Sequence, residues 1–216
     1  AEAERQAVNR SERLVFIDRD TLFLNEPAEM IILPEKVMGF RPVHHRLIGV
    51  EWGSGLDDFW SMICSGCRIS EEHFFQMVTH TGEEIAAYFN AGFFIFRPEY
   101  GLMTRWQETF LELYKDSGFE QWYKRDPLYK IFMHQAVFTG VILRELKHTQ
   151  LQLLSEVYNY PLHLHSELPK TKKAALLDDL TAARFEGIFT NGQWKRLPVS
   201  DKLSTWLMNQ SIISGA

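Results

Sequence analysis

A short apolar run at residues 14–17 ends directly in two acids, Asp18 and Asp20, and this junction constrains the fold most strongly. Alternate side chains of an extended backbone point to the same face, so both carboxylates face one way and Arg19 faces the other. Neighbouring carboxylates repel each other unless a cation lies between them. Their oxygens suit a hard divalent ion, Mg²⁺ or Mn²⁺, shared with a diphosphate. The alternative is a polar strand end with two solvated acids.

The pattern along the chain predicts one α/β domain over residues 1–216. With 216 residues, of which 45% are hydrophobic, the chain can bury a sizeable core. Strands are predicted at residues 21–24, 36–40, 47–50, 88–96 and 184–189. Helices are predicted at residues 1–12, 103–117, 128–147 and 201–210, with helix pieces broken near Gly66 at residues 59–77. This interleaving predicts a mixed, largely parallel sheet flanked by helices, with ligands beyond the carboxyl ends of the strands. Asp18 and Asp20 fall at such an end.

Charge and cysteine content exclude several classes of protein. The formal net charge of −5 argues against nucleic acid or an anionic membrane surface as a partner. No apolar run reaches the ~18 residues of a membrane span. Cys64 and Cys67 are too few for a disulfide scaffold, and without a second pair a redox or zinc role is the lesser alternative. Two reduced thiols in a cytoplasmic protein are expected.

Four segments, taken in order, resemble the GT-A nucleotide-sugar glycosyltransferases, specifically their family-8-like, glycogenin-type branch. Residues 14–24 resemble the strand–Asp-x-Asp–strand element, and residues 88–98 resemble the strand that carries Asn-Ala-Gly. The pair His134 and Gln135 lies where that branch commonly has Asp-Gln. Residues 158–161, Tyr-Asn-Tyr-Pro, resemble the Tyr-Asn segment that follows. The four elements together are more specific than any one of them.

The resemblance implies a GT-A-like fold and a metal-dependent glycosyltransferase of the hexosyltransferase type. The donor would be a nucleotide sugar, and the acceptor a carbohydrate or another hydroxyl compound. Mn²⁺ or Mg²⁺ would be held by Asp18, Asp20 and a histidine near the C-terminal end, for which we select His165. His163 and Glu186 are the competing candidates. Such an ion offsets the charge that grows on the leaving diphosphate.

The same resemblance implies a sugar-binding side of the site. Asn90, Ala91 and Gly92 would bind substrate beside Asp18: the amide reads sugar hydroxyls, and the glycine lets a sugar ring approach the backbone. Gln135 would lie on the donor-sugar side of the cleft, and Gln135 and His134 are the candidate catalytic residues. Since the histidine replaces the usual aspartate, it acts as a base, bonds a hydroxyl or is a helix-surface residue.

One departure from the resemblance concerns the start of the chain. In GT-A enzymes a nucleotide-binding half precedes the Asp-x-Asp strand, whereas here a single predicted helix precedes it. The chain is therefore expected to be the metal- and acceptor-side portion of a larger catalytic domain, with an exposed sheet edge. A non-catalytic GT-A-like binding domain is the alternative.

A haloacid-dehalogenase-type phosphatase is a second enzyme alternative. Such enzymes also begin with a strand followed by Asp-x-Asp, in which the first acid is the nucleophile and the second a general acid. Their motif continues with Gly-Thr, whereas Thr21 follows Asp20 directly. This spacing weakens the phosphatase interpretation without removing it.

Overall fold

A computed structural model describes residues 1–189 and 192–210. Its strands are β1 (Leu14–Ile17), β2 (Thr21–Phe23), β3 (Met38–Pro42), β4 (Gln76–Val78), β5 (Glu84–Ala86), β6 (Phe89–Phe96), β7 (Leu151–Leu153), β8 (Tyr160–Pro161) and β9 (Ala182–Arg184). Its helices are α1 (Glu2–Ala7), α2 (Asp58–Cys67), α3 (Leu102–Tyr114), α4 (Glu120–Arg125), α5 (Pro127–Glu145) and α6 (Asp201–Met208). The predicted mixed α/β fold, with sheets flanked by helices, is confirmed.

The main sheet has the strand order β1-β6-β3-β7. Strand β6 lies between β1 and β3 and runs antiparallel to both, and only β3 and β7 are parallel. The expectation that the sheet is largely parallel was therefore wrong. A fully apolar strand is typical of parallel sheets because both of its faces are covered. Here β6 is covered on both faces although its neighbours are antiparallel, and its composition does not reveal their direction.

The core surrounds β6, in which all eight residues are buried. Phe94 stacks on Phe16 of β1 and packs against Phe138 of α5, with ring centroids 5.1 and 4.6 Å apart. Phe93 and Ile95 face the opposite side and belong to a smaller apolar cluster. This alternation between faces is the expected period of a strand.

The helix break predicted near Gly66 is confirmed, because α2 ends at Cys67 with Arg68 in a left-handed conformation, and a short 3-10 helix follows at Glu71–His73. Gly66 itself still lies within α2. A Cβ atom at this position would collide with Leu113 of α3, so the glycine permits close helix packing rather than ending the helix. Gly140 of α5 similarly faces Cys67 of α2. Cys64 and Cys67 are free, as expected, and both are buried, which raises their pKa values to about 11 and about 12. Their thiolates are therefore disfavoured.

A second sheet, with the order β2-β9-β8, carries the C-terminal part of the candidate site. Strand β9 is antiparallel to β2 and parallel to β8. The predicted strand at residues 184–189 ends already at Arg184 because Glu186 and Gly187 have φ angles of +35° and +74°. The strand predicted at residues 47–50 is also absent, and Leu47 there has a φ of +44°.

The N-terminal region shows the expected exposed edge. Strand β1 is the outer strand of the main sheet, and Val15 and Ile17 are 38% and 42% exposed. Helix α1 falls within the surface helix predicted at residues 1–12, but its Glu4 is buried against the start of α3. No helix in the described residues is both long and apolar enough to cross a membrane.

Candidate functional site

Three carboxylates converge on one guanidinium at the end of β1. Asp18 Oδ2 accepts a hydrogen bond from Arg184 Nη1 at 2.5 Å, and Asp20 Oδ2 accepts one from Arg184 Nε at 3.2 Å. The same Nε lies 2.9 Å from Glu186 Oε1. One positive charge therefore compensates only one of the three negative charges. We call these four residues the acidic cluster.

Backbone pairing brings the cluster together. Asp18 N donates to the Gly92 carbonyl at 2.8 Å, and Thr21 N donates to the Asp18 carbonyl at 3.1 Å, which turns the chain from β1 into β2. Thr21 is then paired with Arg184 in the second sheet, and Phe185 N donates to the Asp20 carbonyl at 3.0 Å. The acids and the arginine are thus fixed at adjacent strand ends.

An open pocket of about 770 Å³ lies directly in front of the acidic cluster. Its lining includes Asp18, Arg19, Asp20, Arg184 and Glu186. The side chains of the two aspartates are 36% and 20% exposed, so a ligand in this space can reach them. A salt bridge holds the paired acids, but the pocket in front of them is open.

Gly92 forms part of the floor beneath the Asp18–Arg184 ion pair. A Cβ atom at residue 92 would collide with both Asp18 Oδ2 and Arg184 Nη1. The close approach of these side chains to the backbone therefore requires a glycine here. Gly92 N is bonded to Asn90 Oδ1 at 2.9 Å, which fixes the local backbone.

Glu186 reaches the cluster from a left-handed backbone conformation, with a φ of +35°. This region is unfavourable for a residue with a Cβ atom and costs roughly 1–2 kcal/mol. Its carboxylate links two groups, since Oε1 faces Arg184 and Oε2 lies 3.5 Å from His163 Nε2. Strain of this kind is concentrated at functional sites.

Two histidines lie beside Glu186. Within the described part of the chain, His44, His163 and Glu186 form the single group whose nitrogen and carboxylate donor atoms come within 4.8 Å of one another. Burial lowers the pKa of His44 to about 3 and also lowers the pKa of His163, so both rings are neutral at pH 7. His163 Nδ1 is buried and has no hydrogen-bond partner among the described residues.

The histidine that we selected from the sequence lies elsewhere. His165 Nδ1 is bonded to the Tyr160 hydroxyl at 2.8 Å, and its pKa is lowered by burial and by the charge of Lys173. His163, by contrast, responds electrostatically to Glu186 and Asp20. The structure thus brings His163 and Glu186, but not His165, to the acidic cluster.

Asn90 and Gln135, the polar residues expected on the sugar side, are buried and bonded to backbone. Gln135 Oε1 accepts from Ala91 N at 3.1 Å, so α5 holds the segment that precedes Gly92. His134, on the same helix, donates from Nδ1 to the Ile131 carbonyl at 2.9 Å, which leaves the lone pair on Nε2. Burial lowers the pKa of His134, while the hydrogen bond to Ile131 and the charge of Asp18 raise it. The ring is not part of the lining of the pocket.

The chemistry of the donor set suits the cation that the resemblance implies. Asp18, Asp20 and Glu186 offer carboxylate oxygens, the ligands that Mg²⁺ and Mn²⁺ prefer. Arg184 is the one member of the cluster that offers only donors and so cannot be a ligand. Its guanidinium lies among the oxygens that a cation would use.

Sequence reasoning did not assign a role to Arg184 or to His44. Both are single residues in segments without a motif, and they reach the site only through the second sheet and the loop that follows β3. The signal that was available for Arg184 is its position two residues before Glu186 and three before Gly187. That spacing alone does not indicate an ion pair with Asp18.

In this α/β fold the paired acids face an open pocket. The sequence profile of one family, the Rhodobacterales glycosyltransferase domain, matches residues 3–129, which is more than half of the chain. The chain therefore belongs to this family and is a glycosyltransferase by family. The match includes Asp18, Asp20 and Gly92 and ends before Gln135 and Arg184. Searches of curated proteins and of solved structures found no match.

Proposed function

We propose that the pocket binds the diphosphate of a nucleotide-sugar donor together with Mn²⁺ or Mg²⁺, and that the sugar, a hexose, passes to a hydroxyl acceptor, a carbohydrate or another hydroxyl compound. One observation carries the proposal: the paired acids of a glycosyltransferase-family segment face an open pocket of donor-binding size. A GT-A-type site with an Asp-x-Asp motif, in the glycogenin-type branch, is the form of enzyme that we propose.

The cation is assigned to the carboxylates of the acidic cluster. Asp18 and Asp20 are the primary ligands, and Glu186 is proposed as the third ligand in place of His165 because it already contacts the same guanidinium. When bound, a divalent cation offsets the negative charge that develops on the leaving diphosphate. Around that ion, the protein supplies fixed negative charge and the floor at Gly92.

The residues around Gly92 are assigned to the sugar. The Asp18–Arg184 pair now covers Gly92, and once that pair has moved the glycine offers no side chain that would keep a sugar ring from the backbone. Asn90, Ala91 and Gln135 act by holding this backbone in place through the hydrogen bonds described above. His134 is the proposed base, because its Nε2 carries the lone pair and the charge of Asp18 acts on its ring.

The test is release of nucleoside diphosphate from a panel of nucleotide sugars, with and without Mn²⁺, on the longest natural chain. Asp20→Asn keeps the shape but removes the charge, and we expect at least about a hundredfold loss of metal-dependent turnover, typical of losing a group that stabilises transition-state charge. Asp58→Asn is the matched control, because Asp58 is exposed on α2 and outside the pocket lining. Equal loss in both variants, or none in either, would contradict the assignment.

The alternatives predict different outcomes of the same assay. A phosphatase would release phosphate from a small phosphoester and lose this activity in Asp18→Asn. A non-catalytic binding domain would bind the nucleotide with Mn²⁺ and turn over no donor in the panel. The family match supports neither alternative. The cytoplasmic location stays a prediction, to be checked by localising the tagged natural protein.

A further inference from the structure

Arg184 occupies the centre of the site to which we assign a cation. Its Nη1 and Nε face one oxygen each of Asp18 and Asp20, and Nε also faces Glu186. Arginine is charged at all physiological pH values, so these contacts are between full charges. The guanidinium side chain is 20% exposed, so water screens it only in part.

We propose that Arg184 and a divalent cation are alternative counter-ions of Asp18 and Asp20, so that the guanidinium must leave these carboxylates when the cation binds. The inference rests on the proposed function, because it takes the cation from there. It goes further in assigning to Arg184 a role in setting the affinity for the metal. Arg184 is a positioning residue in the metal-free protein.

Electrostatics excludes simultaneous occupancy in the present geometry. A cation bound to the remaining oxygens of Asp18 and Asp20 would lie within a few ångströms of a guanidinium, and two like charges at that distance repel strongly in a partly buried site. The carboxylates are also held apart. Among the described residues, the one set of three metal-ligating atoms that all lie within 4.8 Å of one another belongs to His44, His163 and Glu186. The oxygens of Asp18, Asp20 and Glu186 do not form such a set. Drawing them around one small ion therefore requires the arginine side chain to move.

The structure offers a way for this movement to occur without unfolding. The Arg184 backbone is fixed by its pairing with Thr21 and by the Phe185–Asp20 hydrogen bond that follows. Its side chain, however, lines the open pocket of about 770 Å³. A change of side-chain rotamer into that space would free the carboxylates and uncover the floor at Gly92, which the Asp18–Arg184 pair now covers. The displaced guanidinium would then face the same pocket as the donor diphosphate.

Metal affinity provides the first test. Binding of Mn²⁺ to the full chain is measured from the electron paramagnetic resonance signal of the free ion. Removing the competing charge in Arg184→Gln should tighten Mn²⁺ binding at least about tenfold, because a like charge no longer opposes the ion. Arg19→Gln removes an equal charge from the pocket lining, but Arg19 has no ion pair with a described residue, and its effect should be less than about threefold.

The wild-type chain provides a second test that does not depend on a variant folding. Phenylglyoxal modifies accessible guanidinium groups, and peptide mass spectrometry locates the modified residue. Mn²⁺ should increase labelling of Arg184 severalfold, whereas labelling of Arg19 should not change. The nucleotide is omitted, so that only release from the carboxylates is measured.

The possible results separate this inference from the proposed function. Unchanged or weaker Mn²⁺ binding in Arg184→Gln, while Asp20→Asn still abolishes binding, would overturn the competition and leave the metal site intact. Unchanged labelling of Arg184 in the presence of bound Mn²⁺ would overturn it as well. If Asp20→Asn does not alter Mn²⁺ binding in any variant, both the inference and the proposed metal site are wrong.

Discussion

The carboxylates of this protein have two different environments. Glu4 in α1 stabilises the fold, whereas the Asp18–Asp20 pair after β1 is accessible to a ligand. Glu4 is 2% exposed and accepts hydrogen bonds from Met103 N, Thr104 N and Thr104 Oγ1 at 2.7–2.9 Å. These donors belong to the first turn of α3, where a negative charge is also favoured by the helix dipole. The carboxylate thus completes a helix end and has no access to a ligand.

The Asp18–Asp20 pair differs in both its partner and its surroundings. Its partner is a single charged side chain that also contacts Glu186, and an open pocket lies in front. Backbone donors such as those around Glu4 cannot leave without unfolding the helix end, whereas a long arginine side chain can change rotamer. A carboxylate whose only counter-charge can be displaced is therefore the better candidate for binding a ligand.

The largest expected effect on stability tests this comparison directly. Glu4→Ala leaves the donors of Met103 and Thr104 without their partner, and we expect it to lower the free energy of unfolding by about 2–3 kcal/mol. Asp20→Asn should cost less than about 1 kcal/mol, because its pair is partly solvated. Urea unfolding measures both values. Glu2→Ala, on the exposed face of the same helix, is the control and should change little.

The effects of the same two substitutions on Mn²⁺ binding should have the opposite order. Glu4→Ala should bind Mn²⁺ as the wild-type chain does at a temperature where it is folded, while Asp20→Asn should not. Loss of Mn²⁺ binding in Glu4→Ala, or a stability cost for Asp20→Asn as large as that for Glu4→Ala, would remove the distinction between the two environments.

A second prediction concerns two buried histidines, His44 near Glu186 and His80 beside His44. Burial lowers the pKa of His44 to about 3 and holds that of His80 well below the usual value of 6.5. The unfolded chain therefore binds these protons more readily than the folded chain. The stability that the neutral rings contribute is complete above pH 6.5 and decreases below it. For His44 the loss continues towards pH 3 at about 1.4 kcal/mol per pH unit.

Urea unfolding at pH 7.5, 6.0 and 5.0 measures this slope before most carboxylates begin to titrate. His44→Gln should reduce the change of the free energy of unfolding with pH by the contribution of one ring, which is about 2 kcal/mol between pH 6.5 and 5. His73→Gln is the control, since His73 is exposed. An unchanged slope in His44→Gln would mean that His44 is charged in the folded protein.

How far the sequence predicts this molecule depends on the range of the interactions involved. Strand β6 and helices α3, α5 and α6 were predicted within a few residues, because local apolar periodicity determines them. The position of Asp18 and Asp20 at a strand end in front of a pocket was also predicted. Both results rest on patterns that lie within about twenty residues of chain.

The parts that were not predicted depend on distant contacts. Asp20 and Arg184 are 164 residues apart, and no local pattern indicates their ion pair. The direction of β6 relative to β1 likewise depends on how the chain returns to the sheet. The helix break near Gly66 was predicted, but the need for a glycine at this position is set by Leu113 on another helix. Strand direction, close packing and charge pairing are thus properties of the assembled fold.

The smallest expected effect separates the backbone of Glu186 from its carboxylate. Glycine accepts the φ of +35° without strain, so Glu186→Gly should be more stable than Glu186→Gln by about 1 kcal/mol, even after the added chain entropy of glycine is counted. Both variants lose the carboxylate, which is 40% exposed and contributes little to stability through its ion pair. Chemical denaturation of the two variants gives the difference.

Metal binding by the same two variants completes the argument. If Glu186 is a ligand, both should bind Mn²⁺ more weakly than wild type and to the same extent, because the charge rather than the backbone holds the ion. Asp18 and Asp20 would then lie in relaxed backbone, while the third carboxylate of the cluster occupies a conformation that is unfavourable for the fold. A Glu186→Gly chain that is more stable and still binds Mn²⁺ normally would mean that the strain at this residue serves neither the fold nor the cation.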